Sequence, residues 1–88
     1  MTSLRDWAST LLDRYAADLS PELIAQQRRL LELGEHALVA QDALTVGLQR
    51  HDLSSVDLDT ASGFALAGAF GKLSPWFAEQ IQQELSRP

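Results

Sequence analysis

Apolar residues recur at helical spacing along most of the chain. Leu4, Trp7, Ala8, Leu11, Leu12, Tyr15, Ala16 and Leu19 advance in steps of three and one, which places them on one face of a helix. Arg5, Asp6, Asp13, Arg14 and Asp18 lie mostly off that stripe. Ser3 stands where an N-cap is needed, with Asp6 three residues on, close to a capping box. The polar face mixes both signs and lacks the lysine and arginine excess that anionic lipid selects. The stripe is therefore read as core and not as a membrane-facing surface.

Ser20-Pro21 ends this helix and starts a second. Serine caps, and proline takes the first helical position, where its missing N–H costs nothing. Leu19 and Ile24 occupy the two positions of a hydrophobic staple. Leu23, Ile24, Leu30 and Leu31 are expected inward, with Gln26, Gln27, Arg28 and Arg29 outward or at the rim. Gly34 suits the left-handed residue that closes a helix.

A third helix is predicted from Glu35 to Arg50. Its centre is almost wholly apolar, so it should be buried on two or more sides. Asp42 is the lone charge in its middle; if partly buried it needs a partner, with Arg14, Arg28 and Arg29 as candidates.

His51 to Asp59 loses all periodicity and is read as an acidic connector anchored by Leu53, Val56 and Leu58. Asp59 is favoured over Asp57 as N-cap of a fourth helix, about Thr60 to Phe70, closed by Gly71. Its interior Gly63 and Gly68 cost about 1 kcal/mol each relative to alanine. That cost is offset if small residues let another helix come close, which is the expectation for Gly68. Leu73-Ser74-Pro75 repeats the start of the second helix. In the fifth helix, Trp76, Phe77, Ile81 and Leu85 face Glu79, Gln82, Gln83 and Glu84 across the axis. The pattern predicts an all-α protein, a compact bundle of about five short helices in a single domain over residues 1–88, with the third helix as its buried post.

Composition narrows the function classes. With 88 residues there is room for one core. A 45% hydrophobic and 22% charged content argues against disorder. There is no cysteine, hence no disulfide framework, thiolate zinc site or cysteine nucleophile. The charged residues near the N-terminus interrupt any secretory signal or membrane span, so the chain is read as soluble and cytoplasmic.

The net charge of −5 is unevenly placed. Glu32, Glu35, Asp42, Asp52, Asp57 and Asp59 face Arg50 alone within residues 32–59, and the remainder is balanced. Such a surface repels phosphate backbones and attracts basic proteins. These six acids are the candidate partner-binding residues. The plainer reading is a solvated face that aids solubility.

No chemistry-bearing constellation emerges. Asp57 and Asp59 lack the oxygen-ligand, glycine and glutamate spacing of a calcium loop. His36 and His51 are too far apart in sequence to share a helical metal site. Ser54 lacks the Gly-x-Asp-Ser setting of phosphopantetheine carriers. No nucleophile, base and orienting group assemble, so neither catalysis, metal nor cofactor is expected.

Leu30-Leu31-Glu32-Leu33-Gly34-Glu35-His36-Ala37-Leu38-Val39-Ala40, then a leucine-bearing helix and Val56-Asp57-Leu58, resembles the MafI-like immunity proteins. The likeness covers about Pro21 to Gly71, and its most telling part is Gly34-Glu35 followed by Ala37, Leu38 and Ala40. The chain departs from the family in the helix that follows Ser74 and in an aspartate-bearing connector. The resemblance implies a small helical bacterial protein that resides in the cytosol and neutralises a cognate toxin, without catalysis. The expected partner is a protein toxin with a basic active-site surface. The alternative is a regulatory or scaffolding module that binds a partner helix. A DNA-binding regulator ranks below both, because no helix carries a basic recognition face.

Overall fold

A computed structural model describes residues 2–87, and among them the chain is all-α. Its helices are α1 (Leu4–Tyr15), α2 (Pro21–Glu32), α3 (His36–Arg50), α4 (Ser55–Leu66) and α5 (Ser74–Leu85), with short 3-10 turns at Ala16–Asp18 and Gly71–Leu73. The chain divides into two compact units, one ending at Leu44 and the other beginning at Thr45.

In the first unit, Ser3 Oγ accepts the Asp6 N–H at 3.1 Å and so starts α1. The stripe is buried at Trp7, Ala8, Leu11, Leu12 and Tyr15. The α-helix stops at Tyr15, four residues short of the predicted end, and tightens into the 3-10 turn. Pro21 disfavours helical backbone at Ser20 before it, and Leu19 and Ser20 are both extended. Ser20 Oγ then caps α2 by accepting the Leu23 N–H at 3.2 Å.

The inward face of α2 differs from the expectation. Leu23 is exposed, Ile24, Leu30 and Leu31 are half-buried, and the buried residue is Gln27. An arc of merely half-buried leucines lets a longer polar side chain reach the interior, provided that it finds a partner there. Gly34, at φ +85°, closes α2 as predicted: its N–H donates to Leu31 O, and the Glu35 N–H donates to Leu30 O. Together these form a Schellman motif.

α3 bears out its expected burial. Val39, Ala40, Ala43, Leu44 and Gly47 are buried, most of the rest is half-buried, and only Leu38, Asp42, Gln49 and Arg50 are exposed. The helix ends at His51, which takes a left-handed φ of 57°. Histidine adopts that conformation more readily than bulkier or branched residues.

The second unit requires three corrections. The acidic connector is shorter than predicted, because α4 starts at Ser55 and includes Asp57 and Asp59. Its N-cap is Ser54, not Asp59 or Asp57. Ser54 Oγ accepts the Asp57 N–H, and an Asp57 carboxylate oxygen accepts the Ser54 N–H, both at 3.1 Å. This capping box satisfies two otherwise orphaned donors at once. Of the three predicted anchors, Leu58 is buried and Leu53 half-buried, but Val56 is exposed.

The second correction concerns Gly68. It lies beyond α4 at φ +80°, and a Cβ built on it meets nothing within 4 Å. No helix approaches it; it closes α4 by a second Schellman motif, with Gly68 N–H to Ala65 O and Ala69 N–H to Phe64 O. Gly71 is therefore not the cap; it opens the following 3-10 turn.

Third, the two Leu-Ser-Pro starts differ. Ser74 is already helical and buried, and its Oγ accepts the Phe70 N–H at 3.0 Å instead of capping α5. α5 packs on α4. Phe77 and Ile81 are buried, and the Phe77 ring centroid lies 5.0 Å from that of Phe70. Trp76 and Leu85, expected on the same inner side, are 48% and 37% exposed. The Trp76 ring stands edge-on to that of Phe77 at 4.9 Å.

Candidate functional site

The six acids divide equally between the two units. In the first, Glu32 closes the last turn of α2 and lines an open groove of about 380 Å³ with Arg5, Asp6, Ser9, Arg28 and Leu31. Two arginines and two acids make that groove mixed in sign. Arg28 is also tied to Asp13, at 3.0 Å. Glu35 is exposed beside Gly34. Asp42 accepts a hydrogen bond from Gln27 Nε2 at 2.9 Å. The partner of Asp42 is thus a glutamine of α2 and not one of the expected arginines, Arg14, Arg28 or Arg29. Gln27 Oε1 is buried and has no hydrogen-bond partner.

In the second unit, Asp52 pairs with Arg50 at 3.3 Å, both side chains being half-exposed. Asp57 serves the capping box. Asp59 sits two residues further along α4, exposed, on a different side of the helix. Asp59 therefore presents its charge most openly among these three. Asp57 and Asp59 are thus displayed from a helix, a more rigid support than a loop, while Asp52 lies in the short stretch before its cap.

A second polar cluster joins the end of α3 to α5. The His51 Nδ1 lies 2.9 and 3.1 Å from the two carboxylate oxygens of Glu84, whose side chain is only 13% exposed. Arg87 approaches the other side of both groups, 3.8 Å from Glu84 and 3.5 Å from His51 Nε2. The arrangement suits an imidazole that donates from Nδ1 to the carboxylate and accepts from Arg87 at Nε2. Among the described residues, no group of three or more histidine, aspartate and glutamate side chains is placed to hold a metal ion.

The exposed surface also carries large apolar residues. Val56 is 71% and Leu66 78% exposed, both on α4, and Leu33 is 65% exposed at the end of α2. No family model, curated protein or solved structure matches the chain. No helix among the described residues is long and apolar enough to cross a membrane.

Sequence reasoning missed the His51–Glu84 pair and the exposed strip of α4. The first joins residues far apart in sequence, and no local spacing announces it. The second was hidden by the placement of the helix start: once Ser54 is the cap, Val56, Asp59, Gly63 and Leu66 fall on one face. The Ser-x-x-Asp spacing at Ser54 was the available signal.

Proposed function

We propose that this chain is an immunity-type antitoxin, a non-catalytic cytoplasmic protein that binds and neutralises a cognate bacterial toxin domain. The observation that carries this reading is the confinement of all excess negative charge to residues 32–59 of an all-helical chain. Toxins that act on nucleic acid present basic clefts, and an acidic helical surface can occupy one. The likeness of Leu30 to Ala40 to MafI-like immunity proteins supports the same reading. Tight inhibition, with a Kd near 1 nM, requires about 12 kcal/mol of binding free energy. Charge contributes chiefly to encounter rate and specificity, and buried anchors supply most of the affinity.

A second reading, a regulatory or scaffolding module that binds a partner helix, draws on the exposure of Val56 and Leu66. One experiment separates the two. The gene immediately upstream is inspected for a secreted protein with a variable C-terminal domain, and that domain is expressed with and without the chain in bacterial cells; an upstream gene of any other kind counts against the antitoxin. Restored growth and a stable purified complex are the expected results for an antitoxin. Unrelieved toxicity, with no complex at micromolar concentration, refutes it.

A further inference from the structure

α4 is on average the most apolar of the five helices, and its apolar residues are spread around the axis with Ser55, Asp57, Asp59, Thr60 and Ser62 among them. Here Leu58, Ala61 and Ala65 are buried, but the opposite side is bare. Val56, Asp59, Gly63 and Leu66 follow one another at steps of three, four and three along that exposed strip. The two aliphatic side chains stand about 15 Å apart along the axis.

Gly63 sits between them, and nothing within the chain explains it. Its φ lies outside the left-handed region, so an L side chain is tolerated there. A Cβ built on it meets nothing within 4 Å, so no neighbour among the described residues requires the space. Glycine in a helix interior lowers helix stability. What it offers in return is close approach of something outside the chain. Asp59, one turn earlier, makes no ion pair among the described residues. α4 contains no lysine, arginine or histidine, so the same strip on a second copy offers nothing to neutralise Asp59.

We infer that this strip of α4 is the docking face for the partner, a protein surface that sets an arginine or lysine between two apolar contacts and closes over Gly63. The inference rests on the antitoxin reading for the partner's identity, but not for the chemistry of the face. Val56 and Leu66 supply the apolar anchors, Asp59 pairs with the base, and Gly63 leaves room for the partner's backbone.

The test titrates the full chain with the purified upstream-encoded toxin domain in a calorimeter. Gly63→Leu, Leu66→Ser and Asp59→Lys are each expected to weaken binding by about tenfold or more, a hot-spot effect. Glu79→Lys, an exposed charge change on α5, should alter it by less than about threefold. Gly63→Leu should leave the melting temperature unchanged or raised, which separates lost binding from lost folding. If all three α4 variants bind within threefold of the parent, the docking face lies elsewhere while the antitoxin reading stands. If the parent does not bind the toxin domain, the antitoxin reading fails. The face is then tested with a 16-residue helical peptide of leucine and lysine, by amide shift mapping. Shifts centred on residues 56–66 uphold the inference; shifts elsewhere, or none, overturn it. A parent that sediments as a dimer, and a Leu66→Ser variant that sediments as a monomer, would also overturn it, because a second copy would then be the occupant.

Discussion

Gln27 offers a sharp test of how the first unit is built. Its side chain is 95% buried, and it donates to Asp42 across 2.9 Å while its own Oε1 lacks a partner. Gln27→Met keeps the length and removes both features. Losing a hydrogen bond to a charged acceptor costs about 1.5–3 kcal/mol, and removing an orphaned buried acceptor returns about 1–3 kcal/mol. Because Asp42 is exposed and can turn to water, this variant should lie within about 1 kcal/mol of the parent. Gln27→Glu is nearly isosteric and has the opposite consequence. It replaces the donor with a second carboxylate at the same distance, and an uncompensated buried charge costs about 3–5 kcal/mol. Burial and the neighbouring Asp42 both raise the pKa of the introduced carboxyl above its unfolded value of about 4.3. The folded state therefore binds more protons than the unfolded state. The destabilisation is complete above the raised folded pKa and shrinks as pH falls toward about 4.3, where the protonated acid can again donate to Asp42. Urea denaturation at pH 7.5 and pH 5 measures both variants. A Gln27→Glu protein within about 0.5 kcal/mol of the parent at pH 7.5 would refute the burial of this side chain against Asp42.

Other expectations follow from the same structure. Leu44→Ala removes a side chain that is fully buried and should cost about 2–5 kcal/mol in chemical denaturation; a cost under about 0.5 kcal/mol would place Leu44 outside the core. Gly68→Ala and Gly68→Leu should each cost about 1–2 kcal/mol, the penalty of a Cβ in left-handed backbone. They should cost the same, because the space around Gly68 is open; a much larger loss for leucine would restore the close-approach account. Ser54→Ala should cost about 0.5–2 kcal/mol by thermal melting, through loss of the capping box. If the partner is basic, stopped-flow association should slow with added salt, as the Debye length falls from about 30 Å at 0.01 M to about 10 Å at 0.1 M. Asp59→Asn should show a flatter salt dependence than the parent.

Where local signals decided the structure, the sequence was readable. Ser3, Ser20-Pro21 and Gly34 act through residues three or four positions away, and each did what its chemistry predicts. The all-α character followed from apolar spacing alone. Ser54 is hard to read as the cap because two aspartates nearby compete for the same role, and aspartate at the third helical position resembles a cap. Gly68 follows from the same ambiguity: a shifted helix start moves the end, and a terminating glycine then reads as an interior one. Gln27 and the His51–Glu84 pair belong to a different class. Whether a polar residue turns inward depends on a partner 15 or 33 residues away, which local periodicity does not contain. The candidate site was legible as a charge excess, but not as a surface, because the orientation of each acid depends on helix boundaries.

α1 packs against α2, and α4 against α5, so these four helices each find a companion next to them along the chain. Few long stretches of chain must be closed before contacts form, and the entropy of loop closure is correspondingly small. Helical proteins with such local connectivity fold in microseconds to milliseconds. Synthesis of 88 residues at 5–20 residues per second takes about 4–18 s. Translation, and not folding, therefore sets the delay between message and working protein. On the antitoxin reading, protection of the cell is governed by the relative timing of two gene products, and hardly at all by the maturation of this one.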